Sequence, residues 1–139
     1  MERAYLDANI FDYVALEDPK YGEACKNILF GIDSRFLATC SFQVPVEILG
    51  SLSSLNPTVA IGAVNAFMSL NIKVVPVSNE ILLEAIKIIS ETGIDGYDAI
   101  HVATMKMERI STVITENYKD FKKVRWLNII RPLDYSRKL

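Results

Sequence analysis

The sequence predicts an α/β fold: a single domain on a five-stranded parallel sheet with helices on both faces. Three observations predict it. Short runs rich in β-branched and apolar residues alternate with longer segments of helical period, the rhythm of strands joined by helical crossovers. The strand candidates are nearly continuous apolar runs, as strands covered on both faces are. The chain has 139 residues, 50% of them hydrophobic. That is the length of one domain, able to hide roughly two-thirds of its unfolded surface.

Taken in order, residues 3–7 read as the first strand and residues 10–15 as a short helix ending near Asp18-Pro19. Cys25, Ile28, Leu29 and Ile32 form one face of a helix over 21–32. Residues 36–40 are the second strand. A helix follows over 42–55, with Pro45 tolerable because it falls in the first turn. Asn56-Pro57 ends it, and Thr58 is placed to cap the next helix, 59–70. Gly62, Ala63 and Ala66 make that helix thin on one side, suited to close packing. The β-branched run 72–77 is the third strand. Ser78 caps a helix with Ile81, Leu82, Ala85, Ile86 and Ile89 as its apolar face, and Gly93 closes it. Asp95 opens another helix, to about 107. Residues 112–115 are the fourth strand, 118–122 a single helical turn, and 126–130 the fifth strand, stopped by Arg131-Pro132. There is no internal repeat, low-complexity segment or long linker.

Fifteen basic against 17 acidic residues leave a net charge of −2. There is no overall basic field, so a nucleic-acid partner requires a local basic patch or a bridging cation. Cys25 and Cys40 sit in apolar surroundings without metal-ligand spacing and read as buried, reduced thiols. Met1-Glu2-Arg3 leads into a strand without a signal-peptide pattern. The apolar-leaning stretch 59–77 is broken by Asn65, Ser69, Asn71 and Lys73, so it is no membrane span. The expected compartment is the cytoplasm.

The acids carry the functional signal. In open α/β sheets, ligands bind beyond the carboxyl ends of the strands, where the strand order reverses. Asp7 ends the first strand, and "TENYKDF" (115–121) follows the fourth. Asp98 lies in the first turn of the helix that feeds the fourth strand. Glu47 lies among Val44, Val46, Ile48 and Leu49, where an unpaired charge is costly. Each acid has an ordinary alternative. Asp95 and Asp98 have capping-pair spacing, as do Asn117 and Asp120; Asp7 can bond its own turn; and Glu47 can be solvated. Acids converging on one crevice repel by roughly 4 kcal/mol per close pair at an effective dielectric near 20. A cation relieves that repulsion, and carboxylate oxygens suit magnesium or manganese.

"YLDANIF" (5–11), "VPVEILG" (44–50), "GYDAIHVATM" (96–105) and "VITENYKDF" (113–121) resemble, in order, the four acidic motifs of PIN-domain ribonucleases, most closely the VapC-type toxins. The resemblance spans nearly the whole chain. It implies strand order 3-2-1-4-5, which sets strands one and four side by side. It also implies Mg2+ or Mn2+ as cofactor, RNA as substrate, a homodimer, and a small antitoxin protein as partner. By motif position Asp7, Glu47 and Asp98 are the implied metal ligands, giving one well-held ion. Asn117 stands where many members carry a fourth acid, which weakens a second metal site. Asp120 matches the acid of the "DF" ending, and Asn9 and Thr115 match the family's supporting polar residues. Glu116 is expected to point away. The helix N-terminus near Asp95-Gly96 is a candidate phosphate site.

Lys119, Lys122, Lys123 and Arg125 form the candidate RNA-binding patch, with Arg131, Arg137 and Lys138 as a basic tail. Tyr97 and Tyr118 are candidate stacking residues, whereas Trp126 is expected in the core. His101, one turn after Asp98, can act as base or ligand, but a structural or surface role is expected. The helices over 21–32 and 59–70 are candidate dimer surfaces. The competing reading is a catalytically weak PIN-like module that binds RNA or protein. A receiver-like domain is disfavoured because the third strand ends "VPVSNE" without an aspartate. A dinucleotide-binding domain is disfavoured because "LDANIF" has no glycine.

Overall fold

Strands β1 (Arg3–Leu6), β2 (Leu37–Ser41), β3 (Ile72–Val75), β4 (Thr112–Ile114) and β5 (Asn128–Ile130) pair in parallel in the order β3-β2-β1-β4-β5. The computed structural model describes all residues, Met1–Leu139. The helices are α1 (Ala8–Ala15), α2 (Gly22–Phe30), α3 (Gln43–Ser53), α4 (Pro57–Ser69), α5 (Asn79–Thr92), α6 (Gly96–Glu108), α7 (Tyr118–Phe121) and α8 (Tyr135–Lys138). The predicted fold class and strand order are both observed. Helices α1, α3 and α4 pack with one another, and α5 packs with α6.

The central strand β1 buries Ala4, Tyr5 and Leu6 completely, which is why its apolar run does not alternate. The chain builds outward from β1 through β2 to β3, then returns to the other side of β1 with β4 and β5. The order therefore reverses between β1 and β4, whose register pairs Leu6 with Ile114. Asp7 and Thr115 are the next residues in each strand, so both emerge at the switch point.

Several boundaries follow the sequence signals. Ser78 caps α5 by accepting from the Ile81 amide at 3.2 Å, and Gly93 ends that helix at φ 71°, the left-handed conformation glycine tolerates. Both cysteines are buried and free. Other expectations need correction. Asn56, not Thr58, caps α4, because Pro57 takes the first helical position and leaves Asn56 Oδ1 to accept from Thr58 and Val59. Helix α5 buries Ile81, Ala85 and Ile88 but exposes Leu82 and Ile86. The small face of α4 is not closed by a neighbour: Gly62, Ala63 and Ala66 line an apolar groove of about 290 Å³ with Phe11, Val14 and Leu29. Trp126 is 45% exposed rather than in the core.

The C-terminal segment is also structured. A 3₁₀ turn, Pro132–Asp134, leads into α8, which delivers the buried Tyr135 to the body of the fold. Its ring stands edge-on to Phe36, with centroids 6.1 Å apart, and the Arg35 guanidinium lies 4.5 Å from it. The Tyr135 hydroxyl fills the space a Cβ on Gly31 would need. Gly31→Ala is expected to cost about 1–2 kcal/mol by overpacking. Adding Tyr135→Phe, which removes the obstructing oxygen, is expected to recover most of that loss in urea unfolding.

Candidate functional site

Asp7 is the N-cap of α1. Its Oδ1 accepts from the Ala8 amide at 2.7 Å, and its Oδ2 accepts from the Thr115 hydroxyl at 2.7 Å. Asn9 Nδ2 lies 3.4 Å from Asp7 Oδ2 and donates to Thr115 Oγ1 at 3.2 Å. The Asn117 amide donates to the same hydroxyl at 3.0 Å. Thr115 thus ties the end of β1 to the loop after β4. Asn9 and Thr115 therefore both contact Asp7 and each other.

Helix α3 supplies Glu47. Gln43, one turn earlier on the same face, donates to Glu47 Oε2 at 2.5 Å and to the Tyr97 carbonyl at 3.0 Å. His101 Nε2 lies 2.7 Å from Glu47 Oε2 and 3.8 Å from Asp7 Oδ1. Ligand-capable atoms of Asp7, Glu47 and His101 all fall within 4.8 Å of one another. The surface role considered for His101 is therefore corrected: the ring is wholly buried in the site. Its spacing three residues after Asp98, on one helical face, was the available signal. Gln43 had a signal of the same kind, four residues before Glu47.

Asp98 does not join that closest set. Its Oδ2 accepts from Asn117 Nδ2 at 3.1 Å, so Asn117 bonds an acid instead of capping α7. Burial, then the charge of Asp7, pushes the Asp98 carboxyl up to about 7, and Asp95 and Asp120 push in the same sense. Asp120 stands 3.8 Å from Lys123 Nζ. Asp12, on α1, belongs to the same electrostatic neighbourhood, although the sequence reading did not single it out. Burial pushes it up to about 6 against the Ser51 hydroxyl bond, and Asp7 and Glu47 add to the rise. Burial opposes ionisation of Glu47, but the His101 bond and charge, with Gln43, hold its carboxyl below the usual range. For His101, burial pulls downward and is outweighed by the Glu47 bond and the charges of Asp7, Glu47 and Asp98.

No lysine or arginine pairs with Asp7, Glu47 or Asp98. The Asn9 Oδ1 and Asp12 Oδ1 atoms are buried without a hydrogen-bond partner. Hard oxygen donors with no lysine or arginine partner fit a small divalent cation. Glu116 is not part of the set: Arg131 holds it at 2.6 Å. Arg131 is thereby neutralised, and Arg137 pairs with Asp134, so neither provides a free basic tail. The α6 N-terminus is also occupied, since Asp95 Oδ2 accepts from the Tyr97 amide at 3.0 Å.

Lys119, Lys122, Lys123 and Arg125 are exposed beyond β4. Lys122, Lys123 and Arg125 line a surface cavity of about 640 Å³ together with Trp126 and Glu91. Tyr97 and Tyr118 are exposed too. Lys122 and Arg131 approach the Tyr118 ring at 5.8 and 5.7 Å.

A family model described as "PIN domain" matches residues 4–127. No curated protein sequence matches the chain. Among solved structures, VapBC2 from Rickettsia felis, bound to a DNA fragment from its promoter, superposes with a TM-score of 0.72 at 18% identity, covering 93% of this chain and 98% of that one. A toxin-antitoxin complex from Klebsiella pneumoniae gives 0.70 at 20% identity, covering 93% and 97%. VapC20 of Mycobacterium tuberculosis, a toxin that cleaves the sarcin-ricin loop, gives 0.69 at 14% identity, covering 79% and 86%.

Proposed function

Because the chain belongs to the PIN-domain family, we propose that it is a metal-dependent endoribonuclease and the toxin of a toxin–antitoxin pair. One observation carries the reading: Asp7 and Glu47 converge at the β1–β4 switch point, with the charge of Asp7 acting on Asp98, and no lysine or arginine pairs with any of the three. A bound Mg2+ or Mn2+ supplies Lewis acidity for the phosphodiester and a more acidic water.

Asp7, Glu47 and Asp98 are the side chains that would hold the ion. Thr115 and Asn9 orient Asp7, and Asn117 orients Asp98, each by the bonds described above. Asp120 positions water at the rim. The net reaction adds water across the P–O3′ bond and leaves a 5′-phosphate and a 3′-hydroxyl. Lys119, Lys122, Lys123 and Arg125 attract the RNA backbone to an otherwise acidic protein, and Tyr97 and Tyr118 stack bases. An antitoxin partner is proposed because two of the solved relatives above are toxin complexes. A homodimer would cover apolar side chains left exposed on α2, α4 and α5, among them Phe30, Ile61, Met68 and Leu83.

The second reading, a catalytically weak module, is favoured by Asn117 standing as an amide on Asp98. Incubation of the purified protein with a mixed RNA pool separates the two. Cutting with Mn2+ that stops in chelator is expected. Measurable RNA binding without cutting, at high protein concentration, would establish the module instead.

A further inference from the structure

We infer that His101 is a positioning residue for Glu47 and not a ligand of the cation, its tautomer set by Tyr5. The inference rests on the metal-dependent reading above.

Tyr5 Oη accepts from the Ser41 amide at 3.0 Å and lies 2.5 Å from His101 Nδ1. A phenol has one hydrogen to give. With Ser41 occupying an acceptor site on the oxygen, that hydrogen points to Nδ1, which becomes the acceptor. Nε2 then carries the ring proton and donates to Glu47 Oε2 at 2.7 Å. Gln43 agrees with this assignment. Its two amide hydrogens go to Glu47 Oε2 and the Tyr97 carbonyl, so its 3.5 Å approach to His101 Nε2 is a contact between two donors.

A protonated Nε2 has no lone pair for a metal, despite lying close to Asp7 and Glu47. Both donors fall on Glu47 Oε2, leaving Oε1 as the oxygen free to face a cation. Tyr5 on β1, Ser41 at the end of β2, Gln43 on α3 and His101 on α6 thus fix one carboxylate from four elements. Such outer partners orient ligands and raise affinity.

His101 is the only histidine, so 15N-histidine labelling reports on this ring alone. In the Mg2+-saturated protein the spectrum is expected to show a protonated Nε2 and an unprotonated Nδ1. An unprotonated Nε2, or two protonated nitrogens, in that state overturns the inference. Mn2+ binding gives a second readout. His101→Leu is expected to weaken Mn2+ binding by about 10–100-fold. His101→Gln, which retains a donor for Glu47, is expected to recover most of that loss. Equal loss in both variants, each confirmed folded by circular dichroism, overturns it. Neither readout needs RNA. The expected tautomer in a metal-bound protein that cuts no RNA defeats the nuclease reading alone, and a wild type that binds neither ion defeats both.

Discussion

Asp7→Asn is expected to reduce RNA cleavage by about 10³-fold, the scale seen when one preorganised electrostatic group is removed from an active site, while leaving the fold in place. The two effects separate because the hydrogen-bonding roles of Asp7, cap of α1 and acceptor for Thr115, differ from its charge. As the cap of α1 it needs only an acceptor for the Ala8 amide, and an asparagine side chain still offers one. As a cation ligand it needs its charge, which asparagine lacks. The substitution relieves repulsion with Glu47 and Asp98 but puts an amide NH2 where Asp7 accepted from the Thr115 hydroxyl, a loss of about 1 kcal/mol, so folding stability is expected to stay within about 1–2 kcal/mol of wild type. Cleavage assays with Mn2+, paired with thermal unfolding, check both halves. Cleavage within tenfold of wild type would remove Asp7 from the active centre.

Freed of divalent cation, the protein is expected to be most stable in mildly acidic solution and to weaken as pH rises. Asp98 moves from an ordinary 3.8 to about 7 on folding, and Asp12 from 3.8 to about 6. Between the unfolded and folded values the native state holds protons that the unfolded chain has released, so stability falls with pH across that window. His101 acts in the same sense. Its folded pKa is raised, so its contribution is complete below 6.5 and is lost as pH climbs through the folded value. Glu47, lowered on folding, is stabilising above its unfolded value and loses that effect only in stronger acid. Both raised acids are partly solvated, so the combined loss from pH 5 to 8 is about 1–2 kcal/mol after screening. Mg2+ at about 100 times its Kd adds about 2.7 kcal/mol at pH 8, and less at pH 5, where protons hold the site. Urea midpoints at both pH values, in chelator and in Mg2+, measure the crossing. A metal-free protein equally stable at both would contradict the electrostatics described here.

The sheet was legible because its signals are local. Continuous apolar runs mark β1 and β4, and Ser78 and Gly93 mark the ends of α5 without reference to the rest of the chain. Motif spacing picked out Asp7, Glu47 and Asp98, of which Asp7 and Glu47 meet in the closest set and Asp98 does not. What surrounds them was not legible. Tyr5, Gln43 and His101 meet from three separate elements, and no window of sequence contains that meeting. Trp126 misled because a large ring favours burial in general, whereas here the chain reaches β5 only at Asn128, after the ring has faced outward. The last turn and α8 were missed because eight residues are too few to show a period. Tyr135 is held by contacts with Gly31 and Phe36, far away in sequence.

The Thr115 hydroxyl has a consequence for how such a chain can change. It bonds Asp7 across the seam between β1 and β4 and receives the backbone of Asn117. The alignment of Leu6 with Ile114 therefore sets the spacing of the two arms of the crevice. A single residue inserted into β4 would swap inward- for outward-facing side chains from that point on. A shift of register along this seam would therefore part Asp7 from Thr115 and Asn117 at one stroke, whereas exposed positions that make none of these bonds carry no such constraint.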